Sequence, residues 1–218
     1  MERTVTVPAQ NESVSPVEII LKYKFQLILI VLIAILGVVG VGIYKNVQEK
    51  KSKEGAEKIF MFRTNQWENF KSGKVSKEEL ISGLKELHKV SGNNTLYINL
   101  LLEVTNFYQE KDTLAELIPL WEELYQEKGK DLYLGYLVST SLAVAYEEGK
   151  QLDKAITTLE ALLAGKLKLN HERIYLDLGR LNLMNNNKEK AATHLKYVVE
   201  NFPNTEYSKI AELYLSKL

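Results

Sequence analysis

The chain has 218 residues, room for one membrane-crossing segment plus one compact or solenoid domain of about 170 residues, or at most two small domains. Its 28 Lys+Arg balance 28 Asp+Glu, so no overall basic field draws it to a polyphosphate, and nucleic acid is not an expected partner. Cysteine is absent, which excludes disulfides, thiolate zinc sites, iron–sulfur clusters and a cysteine nucleophile together, while few prolines and a hydrophobic fraction of 45% suit an ordered helical chain.

Residues 1–22 form a polar amino-terminal tail, the first 16 of which mix Val, Thr, Ser, Asn and Pro without a period and read as mobile. Residues 27–43 then contain no polar side chain. As a helix, 25–44 is about 30 Å long at roughly 1.5 Å per residue, which matches the hydrocarbon thickness of a bilayer. Tyr23 and Tyr44 stand where interfacial aromatic anchors belong, with Lys22, Lys24 and Lys45 just outside, so the expected transmembrane helix is 23–44. Gly40-Val41-Gly42 offers a small-x-small cleavage site, yet the apolar run is long for a signal core and follows a polar tail, which favours an uncleaved anchor. Ala34 is followed four residues later by Val38, and Gly37 by Val41, so tight self-dimerisation of this helix is not signalled. Lys45, Lys50, Lys51, Lys53 and Lys58 outnumber Lys22 and Lys24 across the segment, a bias that by itself keeps the carboxyl-terminal domain in the cytoplasm.

Residues 45–72 place Val47, Ala56, Ile59, Phe60, Trp67 and Phe70 among charged residues, the spacing of an amphipathic stem helix continuing from the anchor. Ser72-Gly73 breaks it. Ser76-Lys77-Glu78-Glu79 then opens a helix through a capping box, with Leu80, Ile81, Leu84, Leu87 and Val90 as its apolar stripe and Ser91-Gly92-Asn93-Asn94 as its end.

From residue 74 to 218 the pattern repeats. Tyr108, Tyr146 and Asn182 each stand nine residues before Leu117, Ala155 and Ala191; four further on come Trp121, Leu159 and Leu195, and three beyond those Leu124, Leu162 and Val198. The offsets of 38 and 36 residues mark units of about 94–128, 132–166 and 170–203 and leave a closing helix at 205–218. Each unit holds two helices joined by a polar turn, at 109–112, 147–151 and 185–188. A lone helix pair of this kind cannot bury both apolar faces, so consecutive pairs must stack.

These positions resemble the tetratricopeptide repeat family. The last unit carries Leu178-Gly179, Ala191, Leu195 and Pro203 where the family has its Leu-Gly pair, small residue, large apolar residue and closing proline, and the middle unit offers Leu142-Ala143, Tyr146, Ala155 and Leu159. The first unit departs: Leu117 fills the small position, and Pro119 either kinks the second helix or marks its true first turn. The expected fold is all-α, a single transmembrane helix followed by a tetratricopeptide-like solenoid of helical hairpins. The order of parts, from polar tail through anchor and stem to about three divergent repeats, also resembles the ancillary SecYEG translocon subunits (YfgM-like proteins). That resemblance implies an inner-membrane protein with its repeats in the periplasm, and the translocon and periplasmic chaperones as partners.

Chemistry-bearing patterns are weak. His88, His171 and His194 lie on different expected helices; His171-Glu172 imitates the start of a zinc-protease motif, but Tyr175 stands where the second histidine is needed, and His88 and His194 read as surface or partly packed residues. Gly-Lys pairs at Gly73, Gly129, Gly149 and Gly165 lack the rest of a phosphate loop and read as helix ends. The pairs Glu78-Glu79, Glu122-Glu123 and Glu147-Glu148 read as solvated faces. Asn11-Glu12-Ser13 and Asn93-Asn94-Thr95 fit the glycosylation pattern, which matters only in a eukaryotic secretory pathway.

No catalytic, metal or cofactor residues are therefore expected, and neither an enzyme nor a small-molecule substrate. The favoured class is a membrane-tethered protein-interaction scaffold; the alternatives are a cytoplasm-facing adaptor for another membrane complex and a bitopic ligand-binding accessory protein. By repeat geometry the groove is expected along Leu137, Thr140, Val144 and Glu147 of the middle unit and Arg173, Leu176, Arg180 and Leu183 of the last, where Arg173 and Arg180 lie on one face and suit carboxylate groups.

Overall fold

A computed structural model describes residues 16–91, 94–109 and 114–218. Residues 1–15 of the expected tail with the first glycosylation pattern, Asn93 of the second, the end of the capping-box helix at Gly92-Asn93 and most of the 109–112 turn lie outside the described residues, whereas 16–22 of the expected tail are helical. The chain divides into two units, Met1–Lys53 and Glu54–Leu218.

In the first unit the described backbone belongs to α1 (Pro16–Phe62), which runs without interruption past residue 44 and whose last turns, from Glu54, belong to the second unit. The apolar side chains from Ile28 to Val47 are exposed. By length and composition this helix is long and apolar enough to cross a membrane.

In the second unit α1 ends in a π-helical turn, Arg63–Trp67, and the short helix α2 (Glu68–Lys71). Gly73, at φ 76°, takes the left-handed conformation that closes this segment. Seven helices follow: α3 (Lys77–Ser91), α4 (Thr95–Gln109), α5 (Ile118–Lys128) behind a 3-10 turn at Leu114–Leu117, α6 (Leu134–Glu148), α7 (Leu152–Leu163), α8 (His171–Met184) and α9 (Lys188–Asn201), and α10 (Glu206–Leu215) closes the chain.

Local chemistry explains these starts. The Glu79 amide donates to Ser76 Oγ at 3.2 Å and the Ser76 amide to Glu79 Oε2 at 3.0 Å, which is the expected capping box. Asn187 and Thr205 cap α9 and α10 by accepting from the amides of Lys190 and Ser208. Pro119 lies in the first turn of α5, so of its two expected roles it takes the helix start. Lys150, Asn170, Asn186 and Asn204 adopt positive φ in the turns; at the Gly149-Lys150 pair it is therefore the lysine, not the glycine, that turns left-handed.

From α5 to α10 each helix packs against the next. The main core gathers the ends of the stem with the first helices: Trp67 is 1% exposed, its indole donates to Glu103 Oε1 at 2.9 Å, and it packs edge-on to Phe107. Trp121 donates to Thr105 Oγ1 at 3.0 Å, and the Tyr97 hydroxyl to the Leu84 carbonyl at 3.1 Å, so Trp67, Trp121 and Tyr97 are bonded as well as buried. A second cluster of Leu176, Leu195, Val198 and Ala211 joins α8, α9 and α10.

The small positions do what their spacing predicts. Ala155 and Ala191 are fully buried, and at Gly179 an added Cβ would lie 2.6 Å from Leu195 Cγ, so α8 and α9 touch nearly backbone to side chain. Three stripe residues differ from expectation. Val47, Phe60 and Val90 are exposed, because their apolar stripes extend beyond the width their neighbours cover.

Candidate functional site: the inner face of the repeats

The first helices of the last two pairs, α6 and α8, carry the residues expected to line a groove. Leu137 and Val144 are half-buried against the main core, and Thr140 turns its hydroxyl back to the Tyr136 carbonyl at 2.9 Å. Glu147 and Arg180 meet across the two helices in a bidentate pair, with Arg180 Nη2 donating to Glu147 Oε2 at 2.8 Å and Nη1 to Oε1. Arg180 also donates to Asp177 Oδ1 at 3.4 Å, and exposed Arg173 approaches the other oxygen of Asp177 at 3.8 Å. Glu147 and Arg180, 33 residues apart in sequence, are thus each other's partners rather than open positions for a ligand.

Leu176 does not belong to this face. It is 8% exposed and packs with Leu195, Val198 and Ala211, and Leu183 packs partly against the same cluster. α8 reaches α6 through Arg180, with Asp177 and Arg173 beside it on the same stripe and the Met184 sulfur 3.6 Å from Arg180 Nη1. Asp177 and Met184 were not among the expected residues; the signal was the alternating four- and three-residue spacing 173, 177, 180, 184, set against the apolar pair 176 and 183 on the neighbouring stripe. Tyr136 joins them on α6, its hydroxyl accepting from Asn170 Nδ2 at 3.1 Å.

The electrostatics follow from this enclosure. Burial raises the Asp177 carboxyl above its ordinary range, and Arg180 and Arg173 pull it back only in part. The hydrogen bond to Glu147 raises the Arg180 guanidinium further. Acidic pairs expected to be solvated are in fact half engaged: Glu122 accepts from the Tyr146 hydroxyl at 2.7 Å and from Lys154 at 3.4 Å, a link from α5 through α6 to α7. Burial, then this bond, raises the Tyr146 phenol.

Of the histidines, His88 is deeper than expected, while His194 is partly packed as its position suggested. His88 is 4% exposed, with Nε2 3.4 Å from Glu127 Oε1 and the ring 4.8 Å from Tyr97. His194 is half-buried beside Tyr175, and burial lowers it below its ordinary value. Among the described residues no group of three His, Asp or Glu is placed to hold a metal. The arrangement on α6 and α8 is a hydrogen-bonding, partly apolar surface.

The family model of the tetratricopeptide repeat matches residues 141–164 and 174–205. Over these residues the chain is similar to tetratricopeptide repeats. The matches cover parts of the α6–α7 and α8–α9 pairs, whereas the pair built on α4 and α5, where Leu117 and Pro119 depart from the pattern, lies outside both. No curated protein and no solved structure matches the chain. Tetratricopeptide repeats imply protein partners in general.

Proposed function

We propose that this chain is a membrane-tethered scaffold whose tetratricopeptide repeats dock other proteins on the face formed by α6 and α8, and that it serves protein export as an ancillary partner of the SecYEG translocon or of periplasmic chaperones. The observation that carries the scaffold reading is the Glu147–Arg180 pair. It bonds the inner faces of successive repeats to each other, and so offers a partner a fixed surface rather than two mobile helices. Leu137, Thr140, Val144 and Arg173 supply its contacts, and Leu176 and Leu183 support it from the second cluster.

The tether in this reading is the span 23–44 in the inner membrane of a Gram-negative-type bacterium. It raises the effective concentration of the repeats near emerging chains, so weak individual contacts suffice. The export role and the periplasmic side rest on the order of parts along the sequence. Alkaline-washed membranes are expected to retain the full-length chain, and a periplasmic phosphatase fused after Leu218 to be active. A photocrosslinker at Leu137 is expected to capture a translocon subunit or an exported chain.

The lysines at 45, 50, 51, 53 and 58 favour the opposite orientation, that of a cytoplasm-facing adaptor. An inactive phosphatase together with a fluorescent cytoplasmic reporter at the same site selects that reading and removes the export role.

A further inference from the structure

A second surface, separate from the inner face of the repeats, lies along the last turns of α1 and α3. The two run antiparallel, for a Cβ at Gly55 would sit 3.0 Å from the Ser91 carbonyl oxygen, and one at Gly83 would run into Gln66 and lie 2.8 Å from Phe62. Close contact at these points leaves a cleft of about 770 Å³ between them. Its floor is Phe62 and Leu87, both buried, and its walls carry Met61 at 52% and Val90 at 51% exposure, although apolar side chains of this size are ordinarily covered.

Two further features bear on what fills the cleft. One wall contains the π-helical turn Arg63–Trp67, whose extra residue per turn brings Asn65 and Gln66 to the cleft; such turns recur at functional sites. The rim is acidic: Glu54, Glu57 and Glu86 face one another's side of the cleft with Lys58, and while Glu86 pairs with Lys89 at 2.8 Å, Glu54 and Glu57 form no ion pair among the described residues. From Glu54 to Gln66 the wall is long enough for three helical turns of a third helix.

We propose that this cleft is a docking site for an amphipathic helix of a partner protein, with apolar residues on one stripe and Lys or Arg flanking it. The apolar stripe covers Met61, Phe62, Leu87 and Val90, completing a three-helix packing, and the flanking cations meet Glu54 and Glu57. The site does not depend on which side of a membrane the domain occupies, nor on the inner face of the repeats.

The test uses the full chain in phosphatidylcholine nanodiscs, with empty discs as reference, and two labelled helical peptides of about 18 residues. One is built of Leu and Lys with Leu at helical spacing, the other of Leu and Glu on the same plan. The Leu/Lys peptide is expected to bind the chain by anisotropy and the Leu/Glu peptide not to. Met61→Gln with Val90→Gln should weaken binding about tenfold or more, and Glu54→Lys with Glu57→Lys should do the same and admit the Leu/Glu peptide. All four positions are exposed, so the variants keep the fold. Equal binding of both peptides, absence of binding, indifference to the Gln variants, or a Val90 photocrosslink joining two copies of this chain would each overturn the proposal.

Discussion

Replacing Gly179 by alanine tests the closest approach in the repeat domain, and two effects of opposite sign compete in it. Gly179 lies in the interior of α8, where alanine is favoured over glycine by about 1 kcal/mol. Against that, the new methyl group would sit 2.6 Å from both Cγ and Cδ2 of Leu195, a side chain with no exposure that is held by Leu176, Val198 and Ala211. Leu195 has nowhere to move, and overpacking of this kind costs about 1–3 kcal/mol. The clash therefore wins, and Gly179→Ala is expected to destabilise by roughly 1 kcal/mol net.

The decisive comparison is the same substitution in a Leu195→Ala background. Leu195→Ala alone should cost about 2–5 kcal/mol by leaving a cavity, and in that background the methyl group added at position 179 enters space already vacated. Gly179→Ala should then stabilise by about 1 kcal/mol, a reversal of sign that only direct contact produces. Urea unfolding of the full-length chain in mild detergent, followed by far-ultraviolet circular dichroism, reads all four proteins, and an unchanged slope keeps the comparison two-state. Stabilisation by Gly179→Ala in the parent, or the same effect in both backgrounds, would refute the packing described for α8 and α9.

Three further outcomes are expected from the same unfolding measurement. Trp67→Ala should cost about 3–5 kcal/mol, because it empties a fully enclosed ring site and removes the bond to Glu103; a loss below about 1 kcal/mol would mean that the end of the stem is not part of the repeat core. Arg180→Met should cost about 1–3 kcal/mol near neutral pH by leaving Glu147 and Asp177 without their shared cation, and the loss should shrink in acid as the Asp177 carboxyl, raised by burial, protonates; a loss independent of pH would point to packing instead. His194 is lowered by burial, so the folded state favours its neutral form: that stability is full above the unfolded value of 6.5 and is lost as pH falls through the lower folded value. His194→Gln should lack this term, so the parent should lose stability relative to the variant as pH drops below 6.5, and a flat difference would contradict the burial.

What could be read in the sequence was what local geometry determines. Ser76 and Glu79 cap a helix because three residues bring a hydroxyl and a carboxylate to the same free amides, whatever the rest of the chain does. Ala155, Ala191 and Gly179 were visible as contact points because a small residue recurring at a fixed offset has meaning only where backbones approach. Phe60 and Val90 show the limit of such periodicity: it orients a stripe without giving its width, and width is set by the neighbour that covers it.

The inner face was misphased for a related reason. Leu176 and Asp177 are one residue apart, about 100° around the helix, and either can face α6 until it is known that α9 and α10 enclose the other side. Once they do, burying a leucine among Leu195, Val198 and Ala211 is favourable. Burying an aspartate there without a partner would cost far more than the apolar contacts return. The chain can therefore turn only one way, with Asp177 and Arg180 toward Glu147. The rotation of α8 thus follows from where its charges are tolerated as well as from burial of Ile174, Leu178 and Leu181, and the charge's partner lies 33 residues distant in sequence, beyond the reach of any local pattern.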